Sequence, residues 1–278
     1  MKDIKIFACC HKEYDTIPPL TTLIQGGREI NPPLEGIMGD NEGENISNKN
    51  REYCELTVMY YAWKNVEAGA YGFCHYRRFF CFDKTVTKRP YLAVGKMTEK
   101  KKKQYFLSED ETNKILSECD IAVTRAENMG MSVREHYENA PYHYKEDLDL
   151  FLEIIGEKAP FLLSYANEYL SSPNNYFCNM FIMDKKYFFE YASLLFSLLS
   201  ELDKRKTMHN DFQSDRTNGY LGERFLGIYL LYAKANGARI EDFPRLDINC
   251  SFTKRLKYKL FPPESKIRKF LKRKKHTK

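Results

Sequence analysis

Short apolar runs alternate with longer segments of helical periodicity along most of the chain. Residues 3–10 (DIKIFACC) open it with a run that reads as a buried strand, and His11 and Lys12 stand at its carboxyl end. Residues 17–47 are rich in Pro, Gly, Asn and Asp without apolar periodicity, which predicts one long loop, and loops of that length in a compact domain usually serve a function. In residues 50–65 (NREYCELTVMYYAWKN), Leu56, Met59, Tyr60 and Trp63 recur at helical spacing behind Asn50 as N-cap, predicting a single helix. Residues 70–74 (AYGFC) form a second buried strand, followed at once by His75-Tyr76-Arg77-Arg78. Residues 83–108, with Lys100 to Lys103, read as an exposed excursion.

The alternation continues. Helices are predicted over 109–117, from 132, over 144–155 and over 160–170, with a strand at 120–124. Residues 176–183 (YFCNMFIM) read as a strand, 185–204 as a long buried helix, 220–235 as an apolar helix carrying Glu223 and Arg224 near its start, and 239–243 as a last strand. Such an order of elements describes an α/β domain with a central sheet flanked by helices.

Composition narrows the class. The chain has 278 residues, 43% of them hydrophobic, with 19 Phe and 20 Tyr, enough to build a large core. No apolar stretch is long enough to span a bilayer, and Met1 to Ile4 begin no signal-peptide run, so the expected location is cytoplasmic. The eight cysteines show no C-x-x-C spacing, which favours reduced thiols over a metal or disulfide framework. The net charge of +6 is unevenly spread: residues 254–278 hold 12 Lys or Arg against the single acid Glu264, and the rest is mildly acidic. The expected division is a domain over 1–253 and a basic amphipathic tail over 254–278. Cations interleaved with apolar residues suit an anionic membrane surface, at about 1 kcal/mol per basic residue; a solvated terminus is the alternative. Nucleic acid is not an expected partner, because no basic face is visible on the body.

Phosphate loops of the G-x-G-x-x-G or G-x-x-x-x-G-K type are absent, as is G-x-S-x-G. What remains is His75 with Arg77 and Arg78 at a strand end, a compact anion site because guanidinium groups bind phosphate oxygens bidentately. Alternatively, one arginine pairs with Glu55 and the other is solvated. Glu223, within an apolar helix, is a candidate general base or else an ion-pair partner of Arg216 or Arg224. Asp211 and Arg216 stand just before that helix and can line the same pocket, and Asn179, in the run 176–183, is either a sugar-hydroxyl ligand or a satisfied core amide.

Five ordered segments, CCHK at 9–12, GDNEGENISNKNREYCELTVMYYAWKN at 39–65, YGFCHYRRFF at 71–80, YFCNMFIMDKKYFFEY at 176–191 and RTNGYLGERFLGIYL at 216–230, resemble the bacterial polysaccharide-biosynthesis glycosyltransferases with the HYRR signature, a family that includes galactofuranosyltransferase domains. The resemblance covers about residues 3–245. It implies a GT-A-like fold, a UDP-sugar donor, and transfer of galactofuranose or another hexose to a growing, lipid-linked capsular, exopolysaccharide or O-antigen glycan, with inversion, at the inner face of the cell membrane. It brings Cys10, His11, Lys12, Asp40, Asn45, Ser47, His75, Arg77 and Arg78 to the donor, Asn179, Asp211 and Arg216 to the sugar or acceptor, and Glu223 to the role of base. Position 44 is Glu where the family commonly has Asp. His75-Tyr76-Arg77 occupies the expected place of a metal-binding Asp-x-Asp, so no metal ligand is assigned and transfer without a required cofactor is favoured over a Mn or Mg requirement. A non-catalytic nucleotide- or saccharide-binding module is the alternative function.

Overall fold

The computed structural model describes residues 2–14, 16–207, 216–261 and 265. The opening apolar run forms β1 (Ile4–Cys10), whose side chains divide between two apolar layers: Phe7 enters one, and Ile4, Ile6 and Ala8 enter the other. There follow β2 (Thr21–Gln25), β3 (Met38–Gly39), α1 (Asn50–Tyr53), α2 (Leu56–Asn65), β4 (Ala70–His75), β5 (Arg78–Phe80) and β6 (Tyr91–Ala93). Next come α3 (Glu99–Tyr105), α4 (Glu109–Ser117), β7 (Ile121–Thr124), β8 (Glu127–Asn128), α5 (Val133–Glu138), α6 (Lys145–Lys158) and α7 (Leu163–Ser171). The last are β9 (Asn174–Asn175), β10 (Phe181–Asp184), α8 (Lys185–Arg205), α9 (Thr217–Ala235), β11 (Ile240–Phe243), β12 (Arg245–Asp247) and α10 (Phe252–Leu260).

The main sheet has 10 strands, with β11-β7-β10-β4-β1-β2-β3 as its path and β5, β12 and β6 continuing from β4. Neighbours on the path are parallel except β10, which runs antiparallel to both β4 and β7. One face packs on α2 and α6 to α9, through Tyr71, Phe73, Val123 and Phe181. The other carries Ala70, Cys74, Ala122 and Ile182 against Phe79, Phe80, Leu116 and Leu246. This is the mixed sheet between helices that the element order predicts.

Local departures from the sequence-based expectation have physical causes. The loop expected over 17–47 contains β2, which pairs in parallel with β1 from Ile6↔Thr21 to Cys10↔Gln25; its two threonines suit a strand despite the Pro and Gly around it. The single helix expected over 50–65 breaks at Cys54 (φ 51, ψ −129) into α1 and α2. The excursion over 83–108 holds β6 and α3, which Thr98 caps by accepting from the Lys101 amide. Within 176–183 only the end is strand, because Cys178 (φ 75) and Asn179 (φ 46) are left-handed. Helix α9 begins at Thr217, three residues before the expected start, so Glu223 lies in its second turn.

The boundary expected at 253 falls inside α10, which docks on the body: Tyr258 is buried, donates to the Tyr91 carbonyl and packs on the Tyr91 ring at 4.9 Å. Residues 262–264 and 266–278 of the basic tail lie outside the described residues.

Candidate functional site

Because β1 and β4 are adjacent and parallel, with Cys9 opposite His75, their carboxyl ends open on one sheet edge, where α/β folds bind ligands. A cleft of about 550 Å³ lies there, lined by Cys10, His11, Asn50, Glu55, Arg78 and Arg216 among others. A second, of about 400 Å³, lies beyond the His75–Arg78 turn and is lined by Arg77, Asp247, Ser251 and Lys254. His75, Tyr76 and Arg78 line both.

The antiparallel strand β10 brings its preceding loop to the same edge. Two consecutive non-glycine residues with positive φ, Cys178 and Asn179, cost about 1–2 kcal/mol each. Three hydrogen bonds offset this. The Cys178 amide donates to Glu223 Oε1 at 2.8 Å, the Cys178 carbonyl accepts from His75 Nε2 at 2.7 Å, and Asn179 Nδ2 donates to Glu55 Oε1 at 2.8 Å. The backbone of one residue thus ties a helix carboxylate to the imidazole at the end of β4. Burial, reinforced by the Arg78 charge, pushes His75 down to about 4, so at neutral pH the ring is uncharged with its proton on Nε2.

Glu223 has its other oxygen on Arg224 at 3.1 Å, the ion pair that the sequence left open, and Arg224 is fully buried beneath it. Glu55 was not singled out as a functional residue by the sequence, although a charged residue inside the apolar run 53–62 was a visible signal. The break at Cys54 turns it into the cleft, and burial raises its carboxyl above the usual range. Gly219 and Gly222 let α9 approach this corner: a Cβ on either would come within 3.0 Å of Cys54 Sγ or 2.8 Å of Leu56. The same approach brings Arg216 Nε to 3.2 Å from Cys54 Sγ.

The cations differ in their partners. Arg77 is exposed, donating to Tyr76 Oη at 3.0 Å and lying over that ring at 4.9 Å. Arg78 and Arg216 form no salt bridge among the described residues, although Glu55 lies within electrostatic reach of both. His11 packs edge-on to Tyr76 at 4.7 Å, and burial with Lys12 and Arg77 nearby lowers its basicity. Lys12 lies over the Tyr14 ring at 5.5 Å. Tyr14 and Tyr76 stack at 4.2 Å.

Asp40, Asn45 and Ser47 are not among the residues lining either cleft. Asp40 is fully buried and accepts from the amides of Gly27 and Arg28 and the hydroxyls of Ser47 and Thr57. Asn45 accepts from the Ser47 amide. These side chains hold the segment from Gly26 to Asn31, which itself reaches the cleft. Arg216 lines the first cleft, whereas Lys12, Asn179 and Glu223 line neither: Asn179 is buried and bonded to Glu55, and Glu223 is linked to the lining residue His75 through Cys178. Asp211 lies outside the described residues. Also among those residues, no three His, Cys, Asp or Glu side chains are gathered as around a metal ion, and no helix is long and apolar enough to cross a membrane. All eight cysteines are free.

A family model described as a domain of unknown function, DUF4422, matches residues 5–234. The chain belongs to the DUF4422 family. Among solved structures it is similar to the bifunctional glycosyltransferase WbbM in its apo form, with a TM-score of 0.84 and 27% identity over 89% of this DUF4422 chain. The match covers 46% of the WbbM chain, so this protein spans less than half the length of that relative. No protein of curated function matches.

Proposed function

We propose that the protein is a GT-A-type glycosyltransferase that moves a sugar, galactofuranose or another hexose, from a UDP-sugar to a growing lipid-linked glycan of the capsular, exopolysaccharide or O-antigen kind at the inner face of the membrane. The observation that carries this reading is the cleft at the ends of β1 and β4, where Arg78 and Arg216, without salt-bridge partners among the described residues, stand beside Glu55. The likeness to a named glycosyltransferase supports it.

In this reading Arg78 takes the diphosphate, and Arg216, which the resemblance assigns to the sugar or acceptor, joins it because both line the same cleft, with His11 beside them, Arg77 on the adjoining cleft, Lys12 nearby and Cys10 beneath. Negative charge grows on the leaving oxygens as the bond to the anomeric carbon breaks, so fixed cations there lower the barrier. The acceptor oxygen attacks that carbon from the opposite side and gives its proton to Glu223, while UDP departs with the bonding electrons. His75 acts by orientation: its neutral ring holds the Cys178 carbonyl, and the amide of the same residue holds Glu223. Asn179 and Asp211 serve the sugar or acceptor, and Asp40, Asn45 and Ser47 act through the loop they brace. Arginine neutralises the diphosphate without a metal, so transfer persists in excess EDTA.

The test is UDP release from a panel of UDP-sugars with lipid-linked acceptors. Glu223→Gln should abolish transfer and retain UDP binding. Full activity of that variant removes Glu223 from the base role, and a strict Mn or Mg requirement removes the metal-free mechanism. UDP binding without turnover of any donor identifies a binding module instead.

A further inference from the structure

Helix α10 has two dissimilar sides. Tyr258 faces the body, where Arg89 also lies over its ring at 5.1 Å and donates to its carbonyl at 3.5 Å. Away from it stand Phe252, Leu256 and Leu260, 68%, 43% and 60% exposed. Spacing of four puts these three on one face, opposite Tyr258, which follows Leu256 by two residues. Three large apolar side chains aligned in solvent are a contact surface rather than scatter.

The charges around the stripe indicate what covers it. The helix carries Lys254, Arg255, Lys257 and Lys259 and no acidic residue. Lys254 is paired with Asp247 at 3.0 Å, whereas Arg255, Lys257 and Lys259 form no salt bridge among the described residues. The chain beyond adds eight further Lys or Arg against Glu264 alone. A second copy meeting the same face would set cation against cation, and the tail folded back would do the same. An anionic lipid surface satisfies both parts of the pattern, taking apolar side chains below the headgroups and ammonium or guanidinium groups among the phosphates.

We propose that α10 is a preformed seat for an anionic bilayer, with Phe252, Leu256 and Leu260 inserted at the headgroup boundary and Arg255, Lys257 and Lys259 on lipid phosphates. This deepens the membrane reading given above and is independent of sugar transfer. Unlike a flexible tether, a helix docked through Tyr258 fixes the orientation of the domain. Ser251 and Lys254, at the start of the same helix, line the second cleft with Arg77 and Arg78. Seating α10 therefore sets that cleft beside the membrane, where a lipid-linked acceptor presents its glycan.

The experiment uses the full chain with phosphatidylcholine vesicles, with and without phosphatidylglycerol. Phe252→Trp should shift its emission to the blue on the anionic vesicles and be quenched by lipids brominated on the acyl chain; the native Trp63 supplies the background. Replacing Phe252, Leu256 and Leu260 together with Ser should weaken partitioning about tenfold or more, with an unchanged melting temperature because all three are exposed. A separate variant with the Lys and Arg of 266–278 changed to Gln isolates the tail. Unshifted emission from the Phe252→Trp variant together with undiminished binding of the triple-Ser variant overturns the proposal. Binding lost only in the tail variant also overturns it, leaving the tail as the membrane contact. A change of oligomeric mass in the triple-Ser variant without lipid identifies the stripe as a self-interface and overturns it as well.

Discussion

Replacing Arg78 separates recognition from stability. Its guanidinium lines both clefts, and it has no salt-bridge partner among the described residues. A change to Gln therefore orphans no buried charge. Its electrostatic surroundings are mixed: Glu55 is favoured by the charge, whereas His75 and Lys254 are opposed by it. The net effect on folding should be within about 0.5 kcal/mol, as for other substitutions that break no buried network. Binding is a different matter, because a hydrogen bond to a charged group contributes about 1.5–3 kcal/mol, or roughly 10- to 150-fold in affinity. Titration calorimetry with UDP should show that loss in Arg78→Gln, and added salt should weaken binding more in the wild type than in the variant, while urea unfolding midpoints coincide. Unchanged UDP affinity would refute the role of Arg78 at the diphosphate. A large fall in stability would instead reveal a structural role for it.

Two other outcomes follow from buried contacts. Gly227→Ala should destabilise by about 2–3 kcal/mol in urea unfolding, since its Cβ would meet the Tyr169 ring at 2.0 Å and that ring is fixed by a 2.9 Å bond to Asn175; an unchanged midpoint would show that the ring moves aside freely. His75, ordinarily near 6.5, is held at about 4 in the folded chain. Between those values the unfolded chain binds more protons, so stability is complete above pH 6.5 and falls as pH drops toward 4, by up to about 3 kcal/mol from this ring. The urea midpoint of His75→Gln should show a shallower slope over that interval, and an identical slope would exclude His75 as a source of acid sensitivity.

The sheet was legible where its strands are short, mostly apolar runs: β1, β4 and β7 lie where residues 3–10, 70–74 and 120–124 place them. α4, between the capping Ser108 and Ser117, matches its expected span because local signals settle it. Features set by long-range contact were hidden. Nothing near Cys54 in sequence signals the turn that splits α1 from α2, since the glycines that pack against it, Gly219 and Gly222, come from α9. The run YFCNMFIM reads as a strand throughout because the left-handed backbone at Cys178 and Asn179 is selected by bonds to His75, Glu223 and Glu55, none of them nearby in sequence. Glu55 was legible only as a partner for an arginine and not as a cleft residue, for the same reason, while His75, Arg78 and Arg216, which do line the cleft, stand out in the sequence as polar side chains beside apolar runs.

The reversed course of β10 has a kinetic implication. Its entry loop completes the cleft edge by contacts such as His75 to Cys178, 103 residues apart in the chain. The parallel pair β1 and β2 closes a far shorter loop, from Ile6 to Thr21. Loop-closure entropy disfavours early formation of the distant contact, so the amino-terminal strands can associate before the carboxylates and the imidazole are joined through that loop. During refolding, ligand binding would then be among the last properties regained, after most of the helical signal, and a chain arrested short of that docking would present a nearly native sheet with an open, unassembled edge.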